Sequence, residues 1–330
     1  MISMSENPEY GFAVGRVRAL ETAVLDRARY ERLVRAPGVQ EFAAALAETV
    51  YARFLEGGST DVPQALDKAA GENAAFLSQY ALDAWLLDLF RLPAAFHKLK
   101  TALKGSLTRS EPEFAIPEEF VNPPFASRVS AAVAAATVSF EEGRHPAAAD
   151  AAMDRLMQEL QLQTANTSEF MVGYLSLHAD LENLRTLVRV KAQTGDGGDE
   201  RGNMAAAFLP GGRLALKDFF SALPESWAVV TERFAKAPPY GTGDESFRDY
   251  LEQGTAAVVE RRSFARMERH GREMELRYLR QTRYATFGYE PLVTFFLLQE
   301  NELRNLRQLY AAKLAGVAEE TAQELVAYVE

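Results

Sequence analysis

Apolar residues recur at three- and four-residue spacing through most of this 330-residue chain, the period of helices that bury one face. The spacing predicts helices over residues 13–35, 39–54, 62–103, 126–140, 147–191, 213–236, 245–286 and 291–330, the fifth broken at 165–168. No stretch alternates as a half-buried strand does, and no Asn-Gly or Asp-Gly turn joins two β-branched runs, so the expected fold is all-α. Proline and glycine clusters interrupt the pattern at 111–124, 194–202, 209–213 and 237–244. The first and last read as domain boundaries, the middle two as flexible surface loops. Three helical domains are therefore expected, at 1–110, 111–238 and 239–330.

One amphipathic pattern recurs. ADLENLRTLVRVKAQTG (179–195) is echoed by ENELRNLRQLYAAKLAG (300–316) and by LPAAFHKLKTALKG (92–105). Superposing Leu184, Leu306 and Leu99 aligns Asp180 with Glu302 and Ala95, Asn183 with Asn305 and Lys98, and Lys191 with Lys313. A second element, [LM]-[DE]-[KR], stands upstream of each copy as Leu66-Asp67-Lys68, Met153-Asp154-Arg155 and Met267-Glu268-Arg269. A looser echo places Tyr30 and Tyr51 at the same 21-residue interval as Phe219 and Tyr240. The repeating unit is thus a group of helices rather than a short solenoid repeat.

On a helical wheel Asp180 falls at the centre of the apolar arc of its helix, with Asn183 at the edge and Lys191 near the middle; Glu302, Asn305 and Lys313 repeat these places. A buried polar trio is specified twice. Asp180 and Lys191 are eleven residues apart, about 16 Å along a helix, so each needs partners on neighbouring elements. Arg155 and Arg269 are the candidates, and an acid so paired would fix how two helices pack. On that reading Asp180→Asn or Glu302→Gln would cost on the order of 3 kcal/mol of stability. Arg185, Arg189, Arg304 and Arg307 are candidate partner contacts on the exposed side, and Arg16, Arg18 and Arg29 read as a solvated face. The basic run over 262–284 is either solvated or a docking surface for an acidic partner.

Composition narrows the function. A net charge of −10 and a pI near 5.2 give no general attraction to nucleic acid. With no cysteine there is no disulfide, thiolate metal site or cysteine nucleophile. The histidines, His97, His145, His178 and His270, lack metal-ligand spacing, and GxSxG, GxxxxGK[ST] and a strand-borne GxGxxG are absent, so neither cofactor nor catalytic site is expected. No secretory leader or long apolar span is expected either. A free-standing helical scaffold for protein binding is the alternative class.

The opening YGFAVGRVRALETAVLDRARYERLV (10–34), then AETVY (47–51), then three similar helices each ending in a lysine shortly before a glycine, resemble the C subunits of the bacterial and archaeal V-type (A-type) rotary ATPases, relatives of the d subunit of eukaryotic V-ATPases. The resemblance runs from about 10 to 329; Ala95 and Lys98 depart from it where an acid and an asparagine are expected. It implies a funnel of three similar helical domains with pseudo-threefold symmetry and no chemistry of its own. Its implied partners are the central-shaft subunits D and F and the proteolipid (K/c-type) subunits of the membrane rotor ring. Its implied place is cytoplasmic, on the inner face of the membrane, passing torque between ATP turnover and proton or sodium transport.

Overall fold

A computed structural model describes residues 4–55, 61–109, 126–143, 146–193, 199–240 and 246–328. The fold is all-α; the described residues contain no strand. In chain order the helices are α1 (Gly11–Glu21), α2 (Arg27–Arg35), α3 (Val39–Leu46), α4 (Val62–Tyr80), α5 (Ala84–Arg109), α6 (Ala126–Gly143), α7 (Pro146–Thr164) and α8 (Glu169–Ala192). They continue as α9 (Glu200–Ala207), α10 (Leu216–Ala222), α11 (Trp227–Phe234), α12 (Phe247–Arg261), α13 (Ala265–Leu279), α14 (Glu290–Leu314) and α15 (Glu319–Gln323). Short 3-10 turns lie at Pro8–Tyr10, Val50–Phe54 and Arg280–Tyr284.

Caps explain several boundaries. The expected break at 165–168 is present: α7 ends at Thr164, and Ser168 accepts the Met171 N–H to start α8. Asp26 and Asp61 do the same for α2 and α4. At the other end of α14, Gly316 (φ +65) donates to Lys313 O at 3.2 Å and Val317 donates to Ala312 O at 2.9 Å. These paired bonds stop a helix through one left-handed residue. Other expected helices are divided: 13–35 opens at 22–26, 62–103 at 81–83, 213–236 at 223–226, 245–286 at 262–264 and 291–330 at 315–318. At 82 the backbone N–H of Leu82 donates to the Tyr10 hydroxyl at 2.9 Å instead of continuing the helical ladder. Helix α9, inside the stretch read as a loop, starts on an Asp199 cap.

Packing gathers the helices into two compact units. The first holds Met1–Leu82 and Asp249–Glu330, so the two ends of the chain share a core. There α14 lies against α1, α3 and α4, and Leu303, Leu306 and Leu309 of α14 interleave with Leu33, Phe42 and Leu66. Complete burial of such side chains stabilises by roughly 1.5–3 kcal/mol each. The second unit holds Asp83–Tyr240 and Ser246–Arg248, with α7 packed against α5, α6, α8 and α9 around Phe96, Leu99, Met153 and Leu160. The boundary expected at 111–124, the glycine run 195–198 and His145 lie outside the described residues.

Candidate functional site

The site is built twice, once on α8 and once on α14. On α8, Asp180 and Asn183 are fully buried. The Asp180 carboxylate accepts the backbone N–H of Arg213 at 3.0 Å, that of Leu214 at 3.2 Å and the Tyr240 hydroxyl at 2.5 Å. Asn183 clasps one residue from both sides: its Nδ2 donates to Leu209 O at 2.9 Å and its Oδ1 accepts from Leu209 N at 2.7 Å. The half-buried Lys191 donates to the carbonyls of Leu223 at 2.6 Å and Glu225 at 2.8 Å, at the end of α10, and lies 5.0 Å from the Trp227 ring. A cation at a helix C-terminus meets both the orphan carbonyls and the negative dipole end.

On α14 the same three positions do the same three things. Glu302, also buried, accepts the Leu25 N–H at 2.6 Å and the Tyr51 hydroxyl at 2.8 Å. Asn305 donates to Ala327 O at 2.8 Å and accepts from Ala327 N at 3.3 Å, and it also donates to the Tyr30 hydroxyl at 3.2 Å. Lys313 donates to Val34 O at the end of α2. An interval of 122 positions carries Asp180, Asn183 and Lys191 onto Glu302, Asn305 and Lys313; one of 189 carries Leu25, Val34 and Tyr51 onto Leu214, Leu223 and Tyr240. The helix and the segment it grips are therefore each repeated, but in opposite chain order: α8 grips a segment just downstream of itself, whereas α14 grips one far upstream. Tyr30 is matched by Phe219, which has no hydroxyl and packs instead on Phe208 and Phe234.

The acids are held without a basic side chain bonded to them. Arg155 donates to the carbonyls of Ala205 at 2.8 Å and Ala206 at 2.7 Å, closing the end of α9, and Arg269 pairs with Glu273 on its own helix at 3.5 Å. Both were expected as partners of the buried trio; neither takes that place, because backbone N–H groups and a tyrosine already saturate each carboxylate. The 209–213 loop is correspondingly not a free surface loop. A Cβ on Gly212 would stand 2.0 Å from Asp180 Oδ1, so only glycine lets the backbone lie flat against the acid. Arg213 clamps the loop's far side, donating to Pro239 O at 2.8 Å and lying 4.0 Å from the Tyr240 ring.

Burial dominates the electrostatics. It raises the Asp180 carboxyl above its ordinary range against the lowering effect of the Tyr240, Leu214 and Arg213 donors. Glu302 is pushed up to about 7 by burial, opposed by Leu25 N, the Tyr51 hydroxyl and the more distant Arg29 charge. Burial and the adjacent acids raise Tyr51 and Tyr240, and burial lowers Lys191. Glu302 also lines a cavity of about 660 Å³ with Leu25, Tyr30 and Asn301.

On the outer face, Arg307 is exposed and pairs with Asp67 at 3.0 Å, Arg185 is half-buried and pairs with Glu182, and Arg189 and Arg304 are exposed. Arg18, expected on a solvated face, instead donates to Thr282 O and Ala285 O, both at 2.9 Å, and so ties α1 to the turn after α13. In the first copy Ala95 is buried and Lys98 exposed, so no polar trio forms on α5. The tyrosines and the N–H donors escaped the charge-based reading, although the repeated 21-residue interval marked both tyrosines. Glu290, a further buried acid at the start of α14, was missed as well; it accepts from Ser5 N at 2.5 Å.

The family model of the ATP synthase (C/AC39) subunit matches residues 13–325. The chain belongs to this family. No curated protein gives a match. The C/AC39 match takes in both polar nodes and every element that builds them. C/AC39 proteins are non-catalytic subunits of rotary ATP synthases. Among the described residues of this C/AC39 chain no group of three or more His, Asp or Glu is placed to hold a metal ion, and no helix is long and apolar enough to cross a membrane.

Proposed function

We propose that the chain is the central-stalk adaptor of a V-type ATPase or ATP synthase, joining the D and F shaft to the proteolipid ring and turning with them. It works on the cytoplasmic face of the membrane, transmits torque between ATP turnover and proton or sodium movement, and has no reaction of its own. Family membership supports the assignment, and one structural observation carries the non-catalytic reading: both repeated buried acids are spent on packing. Each gives its oxygens to backbone N–H groups and a tyrosine hydroxyl, an arrangement that orients helices and leaves no exposed base for a substrate.

A torque adaptor must resist shear between its helices, and polar cross-ties of fixed geometry serve that need better than apolar contacts alone. The division into three domains around an axis belongs to the same proposal and rests on the three sequence repeats. Arg185, Arg189, Arg304 and Arg307 are proposed contacts to shaft or ring. The test is a gentle pull-down of the tagged chain from solubilised host membranes with mass spectrometry of the proteins that accompany it. Shaft subunits and proteolipid are expected; recovery of soluble proteins alone would overturn the adaptor reading in favour of a free-standing scaffold.

A further inference from the structure

A second cavity in the first unit, of about 300 Å³, is bounded by the end of α1, the Val50–Phe54 turn, α4 and α14. Its walls are apolar and largely aromatic: Leu20, Val50, Phe54, Phe76 and Phe295. Asn73, only 7% exposed, lines it. The Asn73 amide has one possible orientation, because Nδ2 donates to two acceptors on α14, Phe296 O at 3.2 Å and Glu300 Oε1 at 2.8 Å. Its Oδ1 is consequently a buried acceptor, and no donor in the described structure reaches it. A native fold pairs nearly all such atoms, so an orphan in a cavity wall marks a place where a donor arrives from outside. The mouth is rimmed by the Arg53–Glu72 ion pair at 2.7 Å and by Gln299, and Val50 there is 40% exposed. A polar rim around a desolvated aromatic pocket is how protein interfaces seat their anchoring side chains.

An aliphatic guest would fill the walls and leave Oδ1 unpaired, and a charged guest would lose its hydration against phenyl rings. A flat aromatic group with one N–H or O–H satisfies both walls and acceptor. We propose that this cavity is an anchor site for a tryptophan or tyrosine side chain on a partner protein, its indole N–H or phenol O–H donating to Asn73 Oδ1. The identity of the source as a protein partner rests on the adaptor reading; the chemistry of the pocket does not.

Calorimetric titration of the full chain with indole and with 1-methylindole tests the pocket, since the two differ little in shape and only the first has a donor. Indole is expected to bind at least tenfold more tightly, Asn73→Leu to equalise the two, and Val50→Phe, which fills the mouth from an exposed position, to abolish both. No indole binding, or equal binding of the two probes by the wild-type chain, would overturn the proposal without reference to any variant. The source is tested by pull-down from solubilised membranes: Val50→Phe is expected to lower the recovery of at least one partner severalfold. If indole binds but Val50→Phe keeps every partner at the wild-type level, the protein-anchor assignment is overturned and the guest is a free aromatic molecule. If the wild-type chain brings down no complex, it is the adaptor reading that has failed.

Discussion

Tyr51 and Glu302 form the most exposed point of failure at the scale of single residues, although neither is exposed to solvent. A buried carboxyl satisfied only by neutral donors prefers to keep its proton, and burial pushes Glu302 up to about 7 from an ordinary 4.5. Tyr30, Tyr51 and the distant Arg29 are the titratable groups that act on it or feel it. Below pH 4.5 the acid is protonated in both folded and unfolded chains, and its contribution is fully present. Between about 4.5 and 7 the folded chain holds a proton that the unfolded chain has released, so stability falls as pH rises, by on the order of 3 kcal/mol for this group. Denaturant melts of wild type and Glu302→Gln at pH 5 and pH 7.5 check the sign: the wild type is expected to lose more stability on going up, and equal losses would remove the buried acid from consideration. Tyr51→Phe and Tyr240→Phe each withdraw a donor from a buried acid and are expected to cost about 1–3 kcal/mol. Combining Tyr51→Phe with Glu302→Gln should cost less than the two separate effects, because both act on one bond.

Among the elements, the grip of α8 and α14 on their partner segments sets the local order. Lys191 closes the carbonyl end of α10, and Gly212 lets the following loop lie against Asp180. Lys191→Met is expected to lower stability by about 1 kcal/mol or more by orphaning those carbonyls. Gly212→Ala should cost at least as much, since a Cβ would have to displace either the loop or the carboxylate; thermal melts that match wild type would contradict this packing. The acid–amide–lysine register was legible in the sequence because the helical period alone puts Asp180 and Glu302 among leucines. Their partners were not, because counting charges favours Arg155 and Arg269, whereas a buried carboxylate is satisfied equally well by backbone N–H groups, which every residue carries. The interruptions at 22–26 and 223–226 were hidden for a related reason: hydrophobic period continues across them, and the first is opened by Glu302 taking the Leu25 N–H from 277 positions away, while Lys191 takes the carbonyls that open the second. Helix α9 escaped because it is eight residues long and begins in a glycine-rich acidic stretch.

For the whole molecule, the first unit is closed by contacts between the two ends of the chain, so it cannot be completed until α14 is present to grip α2 and the turn at Tyr51. Long loops of this kind are slow to close and hold cooperatively once closed, a property suited to a part proposed to carry load. The central claim is that the chain couples two other machines and does no chemistry itself. The direct measurement is ATP hydrolysis and ATP-driven ion uptake in membrane vesicles carrying the complex with the chain removed and then restored. With the chain absent, hydrolysis by the head is expected to persist and ion uptake to vanish, and adding the purified chain back should restore uptake. Ion uptake that continues without it would contradict the adaptor role.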